Sequence, residues 1–468
     1  MSARPFAEIF HPVAEEALAG IEVADPIRTG FASYLERRLT AVLAQAVYLA
    51  FCAHRISAQG FHGTRKGCYA SFVEGAPTHV LGSLLSGFPV AEEALTILVE
   101  QTRRFMQDFA AHLAEDRGAI TTLLDESPDS TVSHLKVGLS DPHRGGRTVV
   151  RVTFASGRQL YYKPRSLAVD AVWAAGLAGV NEWLPLALRA PIVVECGDHG
   201  WAEAIPEQRV MTRRAADAYY WRCGAWLGVA WLLDATDFHR ENVIISGEHP
   251  VLVDMETVLH PFGPGDERSL VRTRILPVED EVWDESWLGA TEAREGPRFA
   301  QWRGQGTDDL HLVLEAARIP AATHLPLVEG VLVRPPEAAR EVAAGLQAVA
   351  RAATACRDRV QQWRLALSAT PRRQIHRGTT DYVFLLRKLT RPEFLGASEV
   401  RARAIAQWQD REPLDSKVCR AEAVSLVAWD IPIFSAPQAP PSDLPWEALA
   451  GLGTEWERSL GESVNRVR

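Results

Sequence analysis

The sequence predicts an α+β fold, and three patterns carry that prediction. Apolar residues at helical spacing dominate the first 130 residues, strand–turn–strand patterns lie near residues 149–163 and 243–253, and a long helical stretch covers 337–367. With 468 residues, 47% of them hydrophobic, the chain can hold two or three domains and bury a substantial core.

Leu39–Cys52 is a helical candidate, with Leu39, Val42, Leu43, Ala46 and Leu49 on one face. The clearest helix follows, where Leu95, Leu98, Val99, Thr102, Phe105, Met106, Phe109 and Leu113 lie opposite Glu100, Arg104 and Asp108. Nothing in residues 1–130 suggests chemistry, so this region reads as scaffold or peptide-binding surface. Near Gly138 the pattern changes. Val149–Phe154 and Gln159–Lys163 flank Ala-Ser-Gly-Arg and read as a hairpin, preceded by the glycine-containing loop 138–147. That loop can hold phosphates through backbone N–H groups and through Arg144 or Arg147, and it serves equally well as an ordinary turn. Lys163 closes the hairpin. A lysine at a strand end is ordinarily solvated, whereas its place ahead of an Asp/Asn/Asp set points to phosphate contact.

Tyr219, Cys223, Trp226, Leu227, Ala230 and Leu233 mark a buried helix leading into Asp234-Ala-Thr-Asp237. Beyond His260 the chain turns to Gly, Pro and charge; Asp284–Asp309 is either a loop near the site or an irregular connection. A helix from about Glu337 to Leu367 buries Val342, Leu346, Val349, Ala353, Cys356, Val360 and Trp363. Residues 436–441 form a Pro-rich linker, and a short helix closes the chain. The expected organisation is a helical region over 1–130, one lobe over 131–210, a second over 211–434, and the linker with its helix over 435–468.

Composition narrows the classes of function. The formal charge of -9, interspersed in sign, gives no support for nucleic-acid binding. No secretory signal follows Met1, and apolar runs such as Cys223–Leu233 are too short to span a membrane, so a cytoplasmic protein without membrane insertion is expected. The six cysteines form no C-x-x-C pair and no clustered Cys/His set, which argues for reduced thiols.

The stretch Asp237–Glu256 carries the most chemistry. An Asp followed five residues later by an Asn, then a short apolar hairpin leading to another Asp, is the arrangement shared by kinase catalytic and metal-binding loops. With the turn centred near Glu248, Asn242 is expected opposite Asp254, so that an amide oxygen and a carboxylate converge on one hard cation, with magnesium the natural candidate. Glu256 points to the same face as Asp254 and can enlarge the acidic cluster. Asp237, in the preceding loop, is placed to take a proton from an attacking hydroxyl. A solvated acidic hairpin is the plain alternative.

Together these segments resemble the dehydratase module of class II lanthipeptide synthetases, the LanM-type enzymes. The resemblance rests on Leu139–Arg147, Tyr162–Leu167, Gly200–Glu203, Thr236–Asn242, Pro250–Thr257, Arg373–Tyr382 and Asp430–Phe434, in the family's order. It implies a kinase-like, lipid-kinase-related, two-lobed core with additional C-terminal helices, which uses ATP and Mg2+ to phosphorylate Ser or Thr of a precursor peptide and then eliminates phosphate. It places Lys163, with the loop residues His143 and Arg147, at the nucleotide, and Asp237, His239, Asn242, Asp254 and Glu256 in phosphorylation. Arg373 and Thr379 fall to elimination, with Arg377 and Tyr382 in the same motif, and His376 is a candidate base for the Cα proton. The implied partners are a precursor peptide with its leader and a separate cyclase, since the family's zinc-binding cyclase residues are not matched. Two other functions stand beside this one: a kinase that stops at the phosphorylated product, and a catalytically silent binding module.

Overall fold

The computed structural model describes residues 4–62, 67–75, 81–125, 127, 130–263, 267–277, 285–289 and 291–452. In chain order it runs through α1 (Ala7–Leu18), α2 (Asp25–His62), α3 (Cys68–Glu74), α4 (Leu81–Leu85), α5 (Pro89–Glu115) and α6 (Arg117–Leu124). Strands β1 (Val132–Val137), β2 (Val150–Phe154) and β3 (Gln159–Lys163) precede α7 (Ala168–Asn181), β4 (Val193–Glu195), β5 (Gly200–Glu203) and α8 (Arg213–Leu232). Next come β6 (Val243–Ser246), β7 (His249–Leu252), β8 (Arg294–Arg303), β9 (His311–Ile319), β10 (Leu327–Val328), β11 (Val331–Leu332), α9 (Ala339–Ala355) and α10 (Arg357–Ser368). Then β12 (Arg373–Gln374), α11 (Thr379–Leu389), α12 (Pro392–Leu395), α13 (Ser398–Gln409), α14 (Ser416–Val427) and β13 (Phe434–Ser435) complete the elements used below. The fold class is α+β, as the sequence predicts. The chain divides into two units, residues 1–164 with 298–315 and 376–433, and residues 165–297 with 316–375 and 434–468.

In the first unit, α2 and α5 supply the core. Phe105 and Phe109 of α5 pack edge-on or tilted against Phe31 of α2, with ring centroids 5.1 and 5.7 Å apart. α2 is longer than the sequence pattern suggested, and its Asp25–Ser57 stretch is long and apolar enough, by composition, to cross a membrane. Its apolar side is accounted for by packing: Phe31, Leu35, Leu39, Leu43, Val47 and Phe51 are fully buried. Gly30 lets β1 approach, since a Cβ there would lie 2.7 Å from that of Leu135. β1, β2 and β3 form an antiparallel meander in which Val150, Val152, Leu160 and Tyr162 face inward.

The second unit is organised by α8, whose residues from Tyr219 to Leu232 are buried almost without exception, apart from the partly exposed Trp221. It crosses α9 at glycine contacts. A Cβ on Gly224 would lie 1.9 Å from the Val342 carbonyl oxygen, and one on Gly345 1.8 Å from that of Trp221. The single helix expected over 337–367 is two, because Cys356 leaves helical geometry (φ -121, ψ 39). The break turns α10 onto α7, where Gly176 makes room for the Trp363 indole and Trp363 meets Trp173 edge-on at 5.6 Å. The 284–309 region, expected to be irregular, contributes β8, which pairs with β9 in a two-stranded ribbon. The six cysteines are free thiols, with Cys68, Cys223 and Cys356 buried. Of the expected closing helix, residues 453–468 lie outside the described residues, and 446–451 form a short 3-10 turn.

Candidate active site

β6 and β7 form the hairpin that the β-branched runs predicted, but its register is one residue from the expected one. Val243 pairs with Leu252 and Ser246 with His249, leaving a two-residue turn at Gly247-Glu248 with Gly247 at φ 60. Asn242 therefore faces Val253, whose N–H donates to the Asn242 carbonyl at 3.0 Å, and Asp254 lies one position further on.

The loop from Asp234 to Asn242 hangs from the end of α8. Asp234 and Asp237 both adopt left-handed backbone conformations, φ 45 and 67, which aspartate tolerates better than most residues. The buried Asp234 carboxylate is gripped by Arg268 Nε (2.6 Å), Arg364 Nη2 (2.8 Å) and the Ser442 hydroxyl (3.1 Å). Phe238 plugs the loop into the core, fully buried and edge-on to Trp173 at 5.8 Å. With Phe238 inward, Asp237 and His239 remain partly exposed. His239 Nδ1 accepts from the Glu241 N–H at 3.2 Å, and its Nε2 lies 3.7 Å from Asp237 Oδ1 and 3.2 Å from the Asn242 amide nitrogen. The Asn242 amide nitrogen donates to the Asp237 carbonyl at 2.8 Å, so its Oδ1 is the atom left to accept or to ligate.

Arg165, Asp170, Asp254, Glu256 and Arg373 form an ionic network in the same unit. Arg165 donates from Nη1 to Asp170 Oδ2 at 2.7 Å and from Nη2 to Asp254 Oδ1 at 2.7 Å, and its Nε lies 3.3 Å from Glu256 Oε2. Glu256 also accepts from Arg373 Nη1 at 2.9 Å, and the Arg373 N–H donates to the Glu256 carbonyl at 2.7 Å. Burial disfavours the charge on both arginines, yet the surrounding carboxylates outweigh it: Asp170, Asp254 and Glu256 hold the Arg165 pKa well above its ordinary value, and Glu256, Asp237 and Asp254 raise that of Arg373. Burial pushes the Asp237 carboxyl up from 3.8; His239 and Arg373 oppose that shift, and Asp254 and Glu256 add to it. The structure thus brings Asp237, His239, Asn242, Asp254, Glu256 and Arg373 into one region of the second unit. Arg165, whose partners reach back to Asp170 and forward to Asp254, was not singled out by sequence reasoning. Its only local signal is its place in the Tyr162–Leu167 segment.

For a divalent cation, the donor set to test is Asn242, Asp254 and Glu256. Asn242 Oδ1 and the partly exposed Asp254 carboxylate are hard oxygen donors, but the one-residue register shift removes the directly opposed pairing that was expected to bring them together. Both Glu256 oxygens are engaged by arginines, Oε2 by Arg165 and Oε1 by Arg373.

The remaining predicted residues belong to the first unit. Lys163 is buried at the end of β3. In the loop before β2, the Gly145 and Gly146 N–H groups converge on the Asp430 carboxylate at 2.5 and 3.0 Å, so this backbone anion nest is filled by a protein carboxylate. Arg147 donates to Asp108 Oδ2 at 2.6 Å, and His143 Nδ1 bonds the Ile431 carbonyl at 2.7 Å. Thr379 opens α11. On either side of it, Arg377 Nε and the Tyr382 hydroxyl both donate to Glu422 Oε1 at 2.8 Å, and Glu422 is fully buried, so these two groups fix the start of the helix. Burial pushes the His376 imidazole down from 6.5, with Glu422 opposing and Arg377 reinforcing, so it is neutral near pH 7 and able to accept a proton.

Residues 88–437 match the protein family described as "Domain of unknown function (DUF4135)". The chain belongs to this family. The DUF4135 domain is found in LanM-type lanthipeptide synthetases, the enzymes whose dehydratase module the motifs resemble. A relative from Lactococcus lactis subsp. lactis, described as "Lacticin 481/lactococcin biosynthesis protein LcnDR2", is 29% identical over 140 residues. That alignment spans 28% of this chain and 15% of the relative.

Proposed function

We propose that this DUF4135 protein acts in lanthipeptide maturation as an ATP-dependent dehydratase, which phosphorylates Ser and Thr of a precursor peptide and then eliminates the phosphate. The observation that carries this reading is the meeting of the Asp237 loop with Arg373 across Glu256: residues suited to phosphoryl transfer and an arginine suited to phosphate release share one region. The description of the Lactococcus relative as a biosynthesis protein for a lacticin agrees with it. The reading includes a kinase-like core, with β1–β3 and Lys163 in its nucleotide-binding half and the Asp237 loop with β6 and β7 in its catalytic half.

In this mechanism Asp237 accepts the proton of the substrate hydroxyl as the hydroxyl oxygen bonds to the γ-phosphorus and the bond to the β-phosphate breaks. Its raised pKa makes it a stronger base than an exposed aspartate. His239 keeps the carboxylate oriented. Asn242 and Asp254 would hold Mg2+, which supplies neutralising charge for the phosphates of ATP. Lys163 contacts the nucleotide phosphates. In the second step a base removes the Cα proton, the electron pair forms the C=C bond, and the C–O bond to phosphate breaks. Arg373 donates to the departing phosphate oxygens; Thr379 stays, as the resemblance implies, a candidate for the same step. His376 is our candidate base. Because the Gly145-Gly146 nest, His143 and Arg147 are already bonded within their own unit, we assign that loop to holding the 430–433 segment. We place the protein in the cytoplasm, where ATP and a newly made peptide are available.

The test is to incubate the protein with ATP, Mg2+ and the precursor peptide encoded in neighbouring genes and to determine the product mass. Loss of water is expected. Retained phosphate indicates a kinase that stops half-way, and an unchanged peptide sinks both readings in favour of a binding module.

A further inference from the structure

Arg373 sits on β12, a two-residue strand, and whatever holds that strand sets where the guanidinium lies. One edge pairs with β13: Arg373 lies opposite Ser435 and Gln374 opposite Phe434, and the Ala436 N–H donates to the Arg372 carbonyl at 2.7 Å. Backbone groups alternate sides along a strand, so the N–H groups of Arg373 and Ile375 both point to the opposite edge. There the Arg373 N–H reaches the Glu256 carbonyl at 2.7 Å. The next donor on that edge, the Ile375 N–H, is received by a side chain instead: it donates to His260 Nε2 at 2.9 Å.

The course of the chain after Glu256 explains the substitution. Leu259 turns through the left-handed region, φ 48, and the carbonyls that could continue the ladder are engaged elsewhere. Thr257 accepts from the Thr236 N–H, Val258 and Leu259 from Arg372 Nη1, and His260 from Arg272 Nη2. The imidazole takes the place of a carbonyl. A peptide N–H can only donate, so Nε2 is the unprotonated nitrogen, and the neutral ring carries its proton on Nδ1, 3.0 Å from the Pro261 carbonyl. Arg272 Nη2, 3.2 Å from Nδ1, has the Pro261 and His260 carbonyls as its acceptors at 2.8 and 3.0 Å. We propose that His260 is a positioning residue for phosphate elimination: its Nε2 pins the Arg373–Ile375 strand against residues 256–260 and so sets the direction from which Arg373 meets the departing phosphate. The inference rests on the reading that Arg373 acts in elimination. The phosphorylation step makes no call on the imidazole, and the His260 N–H, which donates to the Asp234 carbonyl at 3.0 Å, survives a change of side chain.

The experiment compares the full-length wild type, His260→Leu, His260→Gln and Arg373→Ala under single turnover with ATP, Mg2+ and the precursor peptide, each checked for folding by circular dichroism. Leucine fills the space without an acceptor, whereas glutamine can bring an amide oxygen near the position of Nε2. His260→Leu should phosphorylate at the wild-type rate and eliminate on the order of tenfold more slowly, so phosphopeptide accumulates. His260→Gln should recover most of that loss. Hydrogen exchange should show the Ile375 amide protected in the wild type and His260→Gln, and faster in His260→Leu. A folded His260→Leu protein that eliminates at the wild-type rate, or that loses both steps equally, overturns the inference, as does a glutamine variant no better than leucine. Should His260→Leu fail to fold, rapid exchange of the Ile375 amide in the wild type overturns it instead. If Arg373→Ala accumulates no phosphopeptide, the reading of Arg373 fails and this inference falls with it; if Arg373→Ala accumulates it and His260→Leu does not, the inference alone is sunk.

Discussion

Arg373→Ala should separate the two chemical steps of the proposed mechanism. In the structure the guanidinium spends one donor on Glu256 Oε1 at 2.9 Å and lies 15% exposed, with the Asp237 charge among those that raise its pKa. Truncation removes a donor from a charge that develops only as phosphate departs, which costs about 10²–10³ in rate, or about 2.7–4 kcal/mol. Stability should suffer less. Breaking a buried pair costs about 3–5 kcal/mol when the remaining charge is left alone, but Glu256 keeps Arg165, so a loss of about 1–2 kcal/mol is expected. In the proposed mechanism phosphorylation depends on Asp237, Asn242 and Asp254 rather than on Arg373. Under single turnover with ATP and Mg2+, mass spectrometry should therefore show phosphopeptide accumulating before any dehydrated product. A variant that unfolds at nearly the wild-type denaturant concentration yet returns only unmodified peptide would refute the assignment of Arg373 to elimination.

Two further outcomes follow from the geometry. Burial raises the Asp237 pKa above its ordinary 3.8, so its charged form is disfavoured in the folded protein; this contribution favours folding at low pH and is lost as pH rises through the folded pKa. Asp237→Asn should flatten that part of the stability-against-pH curve, raise the melting temperature at pH 7, and abolish phosphorylation. Gly345→Ala would set a Cβ 1.8 Å from the Trp221 carbonyl oxygen, forcing α8 and α9 apart at a cost of about 1–3 kcal/mol or more in urea unfolding.

Legibility in the sequence followed local signal strength. The β6–β7 hairpin was readable because Val243–Ile245 and Val251–Val253 flank turn residues, whereas its register was not: whether two or three residues make the turn depends on Gly247 reaching φ 60, which composition does not reveal. The helical run through Cys356 concealed a break because Val360 and Trp363 continue the same apolar period on a different helix. β8 and β9 escaped notice since they form a two-stranded ribbon with little burial and hence no sharp apolar alternation. Asp237, Asn242 and Asp254 could be picked out by spacing. Arg165 could not, because its partner Asp254 is 89 residues away and only folding brings the two together. Tyr382 and Arg377 were visible as a motif, but their shared anchor, Glu422, lies in a different helix.

The Asp234 clamp bears on when the loop takes shape. The loop spans few residues, yet its first carboxylate is bonded to Arg364, 130 positions downstream, and to Ser442, 208 positions downstream. Closing such long loops is entropically slow, and rates fall as contacts grow more distant in sequence. The hairpin and α8 can form from neighbouring residues early, but the strained backbone at Asp234 and Asp237 has no grip until those distant partners arrive. Competence for chemistry should then lag behind the appearance of helix and compactness during refolding, with the loop among the last parts of the second unit to settle.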